Sequence, residues 1–295
     1  KSEFSGLAWY GDTLILLPQY PERFEGGPQG ALLALTRAEI EAWLDGTSTA
    51  PLDPRPIPLY AEGVKESAVV FEGFESVAFD GESIYLTIET RGLGGMLGYI
   101  IRGQIAPDLS RITLDAGSLT KIKPQAGLGN LTDEALLVTP DGLLSFYEAN
   151  GANVNPNPVA HRFDANLNPL ESLPAPTLEY RLTDASEMDA EGRFWVINYM
   201  YPGDADKLKP APDALAARYG QGATHAASQA VERLVQYQLT PQGVALADRA
   251  PIQLELLPDD EARNWEGLVT LPGRGFLLLT DSFPTTLLGF VKLAD

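Results

Sequence analysis

The strongest constraint on the fold is one unit that occurs five times. In Phe74-Glu75-Ser76-Val77-Ala78-Phe79-Asp80-Gly81-Glu82-Ser83-Ile84-Tyr85-Leu86-Thr87-Ile88-Glu89 an acid opens a short apolar strand. An Asp-Gly pair then turns the chain, and a second apolar strand ends on another acid. Asp-Gly between two apolar runs signals a hairpin, because glycine adopts the positive φ that a tight turn needs. Antiparallel pairing brings the end of the second strand back to the start of the first, so Glu75 and Glu89 belong at one end of one hairpin. The other copies run from Ser5 to Gln19, Glu134 to Glu148, Glu187 to Asn198 and Glu266 to Asp281. Their ends stand 14, 14, 11 and 15 residues apart, against 14 for Glu75 and Glu89. The short fourth copy has a second register, since a start at Asp184 restores the spacing of 14.

The copies begin 70, 59, 53 and 79 residues apart, and strand-like runs fill the intervals. Third strands are expected over 31–35, 97–105, 159–163 and 233–239. Fourth strands are expected over 57–60, 118–122, 178–182 and 252–256. Short four-stranded sheets repeated at such intervals describe an all-β fold, a β-propeller, whose repeats commonly run to about 40–50 residues. Five blades account for the chain, with six (one degenerate) as the alternative. After the fifth hairpin only 286–293 remains, one strand short, and the residues before Ser5 are expected to supply the missing strand. Residues 1–295 read as one propeller domain with two decorations. Thr36 and Glu39 form a capping-box pattern that starts a short helix, and Ala-rich residues 203–230 form a helical and loop insertion.

Composition narrows the function. A formal charge of −19 argues against nucleic acid and anionic membrane as partners, since both attract basic patches. The absence of cysteine excludes disulfides, Cys-ligated zinc and thiol chemistry. No run approaches the ~18 apolar residues of a membrane span. The two histidines, His161 and His225, lack the neighbours of a catalytic triad.

In a propeller the first strand of each blade lines the central channel, so the motif ends form two rings at one mouth. One ring reads Ser5, Glu75, Glu134, Glu187, Glu266; the other reads Gln19, Glu89, Glu148, Asn198, Asp281. Crowded carboxylates must be protonated, paired with arginine or bridged by a metal. Arg91 and Arg263, each beside a motif, are the candidate arginines. Three readings stay open. The repeated acid accepts hydrogen bonds from a neighbouring blade, or Glu75, Glu134, Glu187 and Glu266 hold a calcium ion with Asn198 and Asp281, as suits hard oxygen donors. In the third, Glu89 and Glu148 act as catalytic general bases on water.

The units Ser5-Gly6-Leu7-Ala8-Trp9, Phe74-Glu75-Ser76-Val77-Ala78-Phe79-Asp80-Gly81, Gly192-Arg193-Phe194-Trp195-Val196-Ile197-Asn198 and Trp265-Glu266-Gly267-Leu268 resemble the phytase-like (esterase-like) propeller family. That resemblance spans nearly the whole chain. The chain is more distantly similar to calcium-dependent lactonase and phosphotriesterase propellers. The resemblance implies an extracytoplasmic bacterial protein (periplasmic, cell-surface or secreted), with a lipid anchor outside this sequence among the options, and a monomer. It also implies a central calcium and metal-dependent hydrolysis of an ester or phosphoester, with the small-molecule substrate at the channel mouth. No Lys/Arg cluster near the motif ends is dense enough for a polyphosphate. The alternative is a non-enzymatic extracellular propeller with a structural cation, holding a ligand or protein at its mouth loops and the 203–230 insertion.

Overall fold

The computed structural model describes residues 2–68, 70–93, 95–258 and 260–293. They form an all-β, five-bladed β-propeller. Blade one contains β1 (Phe4–Tyr10), β2 (Thr13–Pro18), β3 (Ala31–Thr36) and, after helix α1 (Arg37–Leu44), β4 (Arg55–Tyr60). Helix α2 (Val64–Ser67) leads to blade two, with β5 (Phe71–Asp80), β6 (Ser83–Gly92), β7 (Gly95–Ile105) and β8 (Ile112–Leu114); β9 (Thr120–Lys121) also pairs with β7. Blade three is β10 (Asp133–Thr139), β11 (Gly142–Tyr147), β12 (Val159–Phe163) and β13 (Pro169–Pro174). Blade four opens with β14 (Arg181–Ala185) and β15 (Arg193–Met200). Helices α3 (Ala205–Leu208) and α4 (Ala214–Tyr219) follow, then β16 (Val231–Thr240), β17 (Gly243–Leu246) and β18 (Ile252–Gln253). Blade five is β19 (Trp265–Leu271), β20 (Gly275–Thr280) and β21 (Leu288–Lys292).

Local signals hold where expected. Gly81 turns the second hairpin at φ 56°, with open space where a Cβ would stand. The capping box forms as read: Glu39 N–H donates to Thr36 Oγ1 at 3.2 Å, and Thr36 N–H donates to Glu39 Oε2 at 2.9 Å. The outer strands differ more. Blade two takes β8 as its fourth strand, and β8 pairs in parallel with β4, joining the first two blades into one sheet. In blade three the fourth strand is β13, because Arg181 and Leu182 open the first strand of blade four instead.

Blade five has three strands among the described residues, and the residues before Ser5 do not complete it. Glu3 C=O instead accepts from Gln19 N–H at 2.9 Å, extending the hairpin of blade one. Closure comes from packing. β1 lies against β5 on one side and β19 on the other. Phe4, Leu7, Leu14, Leu16, Leu33 and Leu35 form one core with Val269, Leu271, Leu277 and Leu279 of blade five. Each such buried side chain contributes about 1.5–3 kcal/mol. Trp9 Nε1–H donates to Thr270 C=O at 2.7 Å across the same seam.

The feature that positions the site is a bulge near the start of every inner strand. The register shifts between Phe4 and Gly6, Phe74 and Ser76, Asp133 and Ala135, and Trp265 and Gly267. In β14 the shift lies between Leu182 and Ala185. A bulge leaves one residue unpaired and re-aims its side chain. The residues so released are Ser5, Glu75, Glu134 and Glu266, with Thr183 and Asp184 in blade four.

Candidate active site at the acidic channel mouth

These bulges bring three of the expected acids, Glu75, Glu134 and Glu266, together. A polar cavity of about 220 Å³ at one mouth is lined by Glu75, Glu89, Glu134, Glu266 and Asp281, with Ser5, Gln19 and Arg181 among the other walls. Glu75 and Glu89 do share one hairpin end. Both are buried, as are Glu134 and Glu266. Asp281 sits at the rim, where Oδ1 accepts from Phe283 N–H at 2.6 Å.

The charge that balances this ring comes from Arg181. Its Nη2 lies 3.5 Å from Glu134 Oε2 and 3.3 Å from Glu266 Oε1. Its Nη1 donates to Asn264 Oδ1 at 3.2 Å, and its Nε donates to Glu148 Oε1. The guanidinium lies 5.3 Å from the ring centre of Tyr199. Burial opposes the charge on Arg181, but Glu266 and Glu134 more than offset this and raise its pKa. Since Glu134 and Glu266 both approach one nitrogen, their oxygens can be no further apart than those two contacts laid end to end.

One guanidinium cannot neutralise every carboxylate here, and the acids respond by holding protons. Burial, followed by repulsion from Glu89, Glu134 and Glu266, holds the Glu75 carboxyl well above its usual range. Gln19 Nε2 donates to its Oε1 at 3.4 Å. Burial and then Glu134 push Glu89 up to about 7. Burial raises Glu134 to about 7 against the pull of Arg181. Burial and then Glu134 hold Glu266 well above its ordinary value, again against Arg181. Glu134 Oε2 is buried and, among the described residues, meets the Arg181 guanidinium at 3.5 Å without a well-formed hydrogen bond.

Gly73 makes the Glu75 position accessible. Its φ is +151°, and a Cβ there would stand 2.4 Å from Gln19 Cγ and 2.9 Å from Glu75 Oε1.

Other expected site residues lie elsewhere. Glu148 is wholly buried behind Arg181 and does not line the cavity. Glu187 is the clearest correction of placement. It is exposed at the opposite, mainly apolar end of the channel, beside Leu7, Trp9, Val77 and Leu136, and accepts from Thr270 N–H at 3.1 Å. The bulge of blade four falls on Thr183 and Asp184, and Leu182 before it pairs with Asn198, so Tyr199 rather than Asn198 takes the place that Gln19, Glu89, Glu148 and Asp281 hold in the other blades. Asp184 does not reach the cavity either: Oδ2 accepts from Leu268 N–H at 2.7 Å, tying blade four to blade five. Asn198 is buried, donating to Glu179 C=O and Arg181 C=O at 2.8 and 3.0 Å while accepting from Arg233 Nε at 2.8 Å.

The arginines singled out beside the motifs are engaged elsewhere, Arg91 with Glu72 at 3.0 Å and Arg263 with Glu232 at 2.8 Å. Arg181 and Asn264 were not anticipated. The signal for Arg181 lay in the alternative register of blade four, which makes it the opening residue of an inner strand.

Among the described residues no set of three or more His, Cys, Asp or Glu side chains has a metal-holding arrangement. The convergent carboxylates Glu134, Glu148 and Glu266 already share the guanidinium of Arg181.

No protein-family model matches the sequence, and no curated protein matches it. Solved structures do share the fold. A mutant alpha-L-arabinanase from Cellvibrio cellulosa is 12% identical with a TM-score of 0.52, covering 100% of this chain and 93% of that one. The GH43 BlXynB protein from Bacillus licheniformis is 10% identical with a TM-score of 0.51, covering 100% of this chain and 54% of that one. A structure from the GH130 family of mannoside phosphorylases, which contains glycoside hydrolases that target beta-1,2 mannosidic linkages in Candida mannan, is 11% identical. Its TM-score is 0.50, with 98% of this chain and 83% of that one covered.

These likenesses are of fold, and they correct the kinship read from the motifs. The propellers whose backbone this chain follows are glycoside hydrolases, not phytase-like, lactonase or phosphotriesterase propellers. In this chain the Glu266-Gly267-Leu268 strand start marks a bulge of blade five, where a Cβ on Gly267 would stand 2.7 Å from Leu7 Cγ. The calcium-dependent ester or phosphoester hydrolase built on that kinship falls with it, and nothing at the mouth favours the non-enzymatic alternative. Among the described residues no helix is long and apolar enough to cross a membrane.

Proposed function

We propose that this propeller hydrolyses a glycosidic bond, with the saccharide entering the acidic mouth. The observation that carries the reading is the pairing, in one cavity, of a buried carboxyl met by the amide of Gln19 with a buried carboxyl met by the guanidinium of Arg181. Glycoside hydrolysis needs that pair, one group to protonate the leaving oxygen and the other to act on the opposite side of the sugar. Glu75 has no cationic partner and suits the acid. Glu134, held by Arg181 and with Oε2 unengaged by hydrogen bonds, suits the base or nucleophile.

In the step so assigned, the Glu75 proton passes to the glycosidic oxygen as the bond to the anomeric carbon breaks. Water supplies the new oxygen to that carbon. In a single displacement Glu134 takes the water's proton. In a double displacement Glu134 bonds to the anomeric carbon and is then displaced as a carboxylate, while Glu75, having given up its own proton, takes the water's. Arg181 limits the charge that builds between Glu134 and Glu266. Glu148, bonded to Nε, positions the guanidinium. Glu89 borders Glu75 and tunes its proton affinity, in place of the general-base role first expected of it. The arabinanase among the fold neighbours makes arabinan and arabinosides the first substrates to try. A polysaccharide substrate would go with a location outside the cytoplasm, which cell fractionation would test.

The test is a screen of arabinan, xylan and mannan together with para-nitrophenyl arabinoside, xyloside and mannoside. The rate is expected to rise through about pH 7 as Glu134 ionises, with an alkaline limb where Glu75, held above its ordinary value by burial, loses its proton. Glu75→Gln is expected to lower kcat by about 10²–10⁴-fold on substrates with poor leaving groups. It should cost much less with an activated aryl leaving group. Turnover of no glycoside, or turnover indifferent to Glu75→Gln, would sink the proposal.

A further inference from the structure

A second cleft, of about 300 Å³, opens beside the acidic cavity. Arg181 and Asn264 line both, so the two spaces meet across these side chains. Its other walls are Tyr199, Tyr201, Asp204 and Phe283. The large exposed aromatic side chains among the described residues are Trp43, Tyr60, Tyr201 and Phe283. The last two, 47% and 46% exposed, border this one cleft.

The Tyr201 ring is also held in place. A Cβ on Gly203 would stand 2.4 Å from Tyr201 Cε1 and 3.0 Å from Cζ, so the missing side chain makes room for the ring against the backbone. Tyr199 is buried and supports Arg181 from behind. Asp204 is paired with Lys207 at 3.3 Å. The one guanidinium in the cleft is already shared among Glu134, Glu148 and Glu266, which disfavours an anionic occupant. Aromatic faces with a polar rim suit a neutral ring that has an apolar C–H face and hydroxyls at its edge. The volume lies at the lower end of small-ligand sites.

We propose that this cleft is a sugar subsite, which holds the saccharide ring next to the bond cleaved in the acidic cavity, stacked on Tyr201 and Phe283. The proposal rests on the glycosidase reading for its position but not for its measurement. The experiment titrates arabinotriose, xylotriose and mannotriose, and the matching monosaccharides, into protein carrying Glu75→Gln to suppress turnover. At least one trisaccharide should bind more tightly than its monosaccharide. Tyr201→Ala should weaken that trisaccharide about tenfold, the scale of one aromatic stacking contact. Tyr201→Phe should retain it, since the ring face is kept, whereas Gly203→Ala should weaken it by displacing an intact ring.

Trisaccharide binding indifferent to Tyr201→Ala, or no trisaccharide binding at all, overturns the subsite. The two proposals fail separately. Tyr201-dependent binding by a protein that cleaves no glycoside keeps the cleft and removes the hydrolase. Turnover with Tyr201-independent binding does the reverse.

Discussion

Arg181 carries one positive charge among Glu134, Glu148 and Glu266, with Glu75 and Glu89 close by, and that imbalance governs the site. Removing the guanidinium leaves the carboxylates only protonation as relief. Arg181→Met is therefore expected to destabilise the fold by roughly 3–5 kcal/mol, the usual cost of orphaning a buried ion pair. The loss should grow with pH, because Glu134 and Glu266 must then hold protons more tightly. Urea unfolding at several pH values checks both magnitude and slope. Where an arginine rather than a metal supplies the positive charge, a chelator should leave the melting temperature unchanged. A drop on chelation would instead support the calcium expected from the sequence. The acids themselves were legible, because a 14-residue hairpin unit brings its two ends together whatever surrounds it. Arg181 was not, since its role depends on three side chains from Glu134 to Glu266 that meet only when the ring closes.

Hairpins, the α1 capping box and most third strands were readable because their causes lie within a few residues. The fourth strands of blades two and three were not, since β8 and β13 take their places from what lies beside them. The insertion in blade four shows how a decoration is fixed by one residue with two tasks. Asp213 Oδ1 accepts from Leu215 N–H and Ala216 N–H at 2.9 and 3.1 Å, capping α4. Its Oδ2 accepts from the buried Arg233 Nη1 at 2.7 Å, and Arg233 in turn holds Asn198. Asp213→Ala would remove a cap worth about 1 kcal/mol and leave Arg233 short of its carboxylate, for a total of roughly 3 kcal/mol or more. Asp213→Asn should retain most of the cap and lose the charge. Hydrogen exchange is expected to show α4 opening in the alanine variant while the amides of β14 and β15 keep their protection. Uniform loss across blade four would mean that the helix is not a separable element.

At the scale of the whole molecule, closing the ring is what crowds the acids, so ring stability and site acidity are coupled. Unfolded, Glu89 and Glu134 would titrate near 4.5, and folded they titrate near 7. Glu75 and Glu266 are displaced in the same direction. Between those values the folded protein binds more protons than the unfolded chain, so stability falls as pH rises across the window. Acids shifted the other way, such as Asp164 with its side-chain hydrogen bond from Asn168, act below their ordinary 3.8 and outside it. The melting temperature is accordingly expected to decline from about pH 5 to about pH 8, opposite to the trend of a protein whose acids are mostly salt-bridged. Glu89→Gln removes one of these groups without touching Arg181, and should raise the melting temperature at the alkaline end while flattening the slope. A slope unchanged by Glu89→Gln would mean that the ring relieves its charge through water or ions entering the mouth, and the protonated Glu75 on which the proposed reaction depends would lose its physical basis.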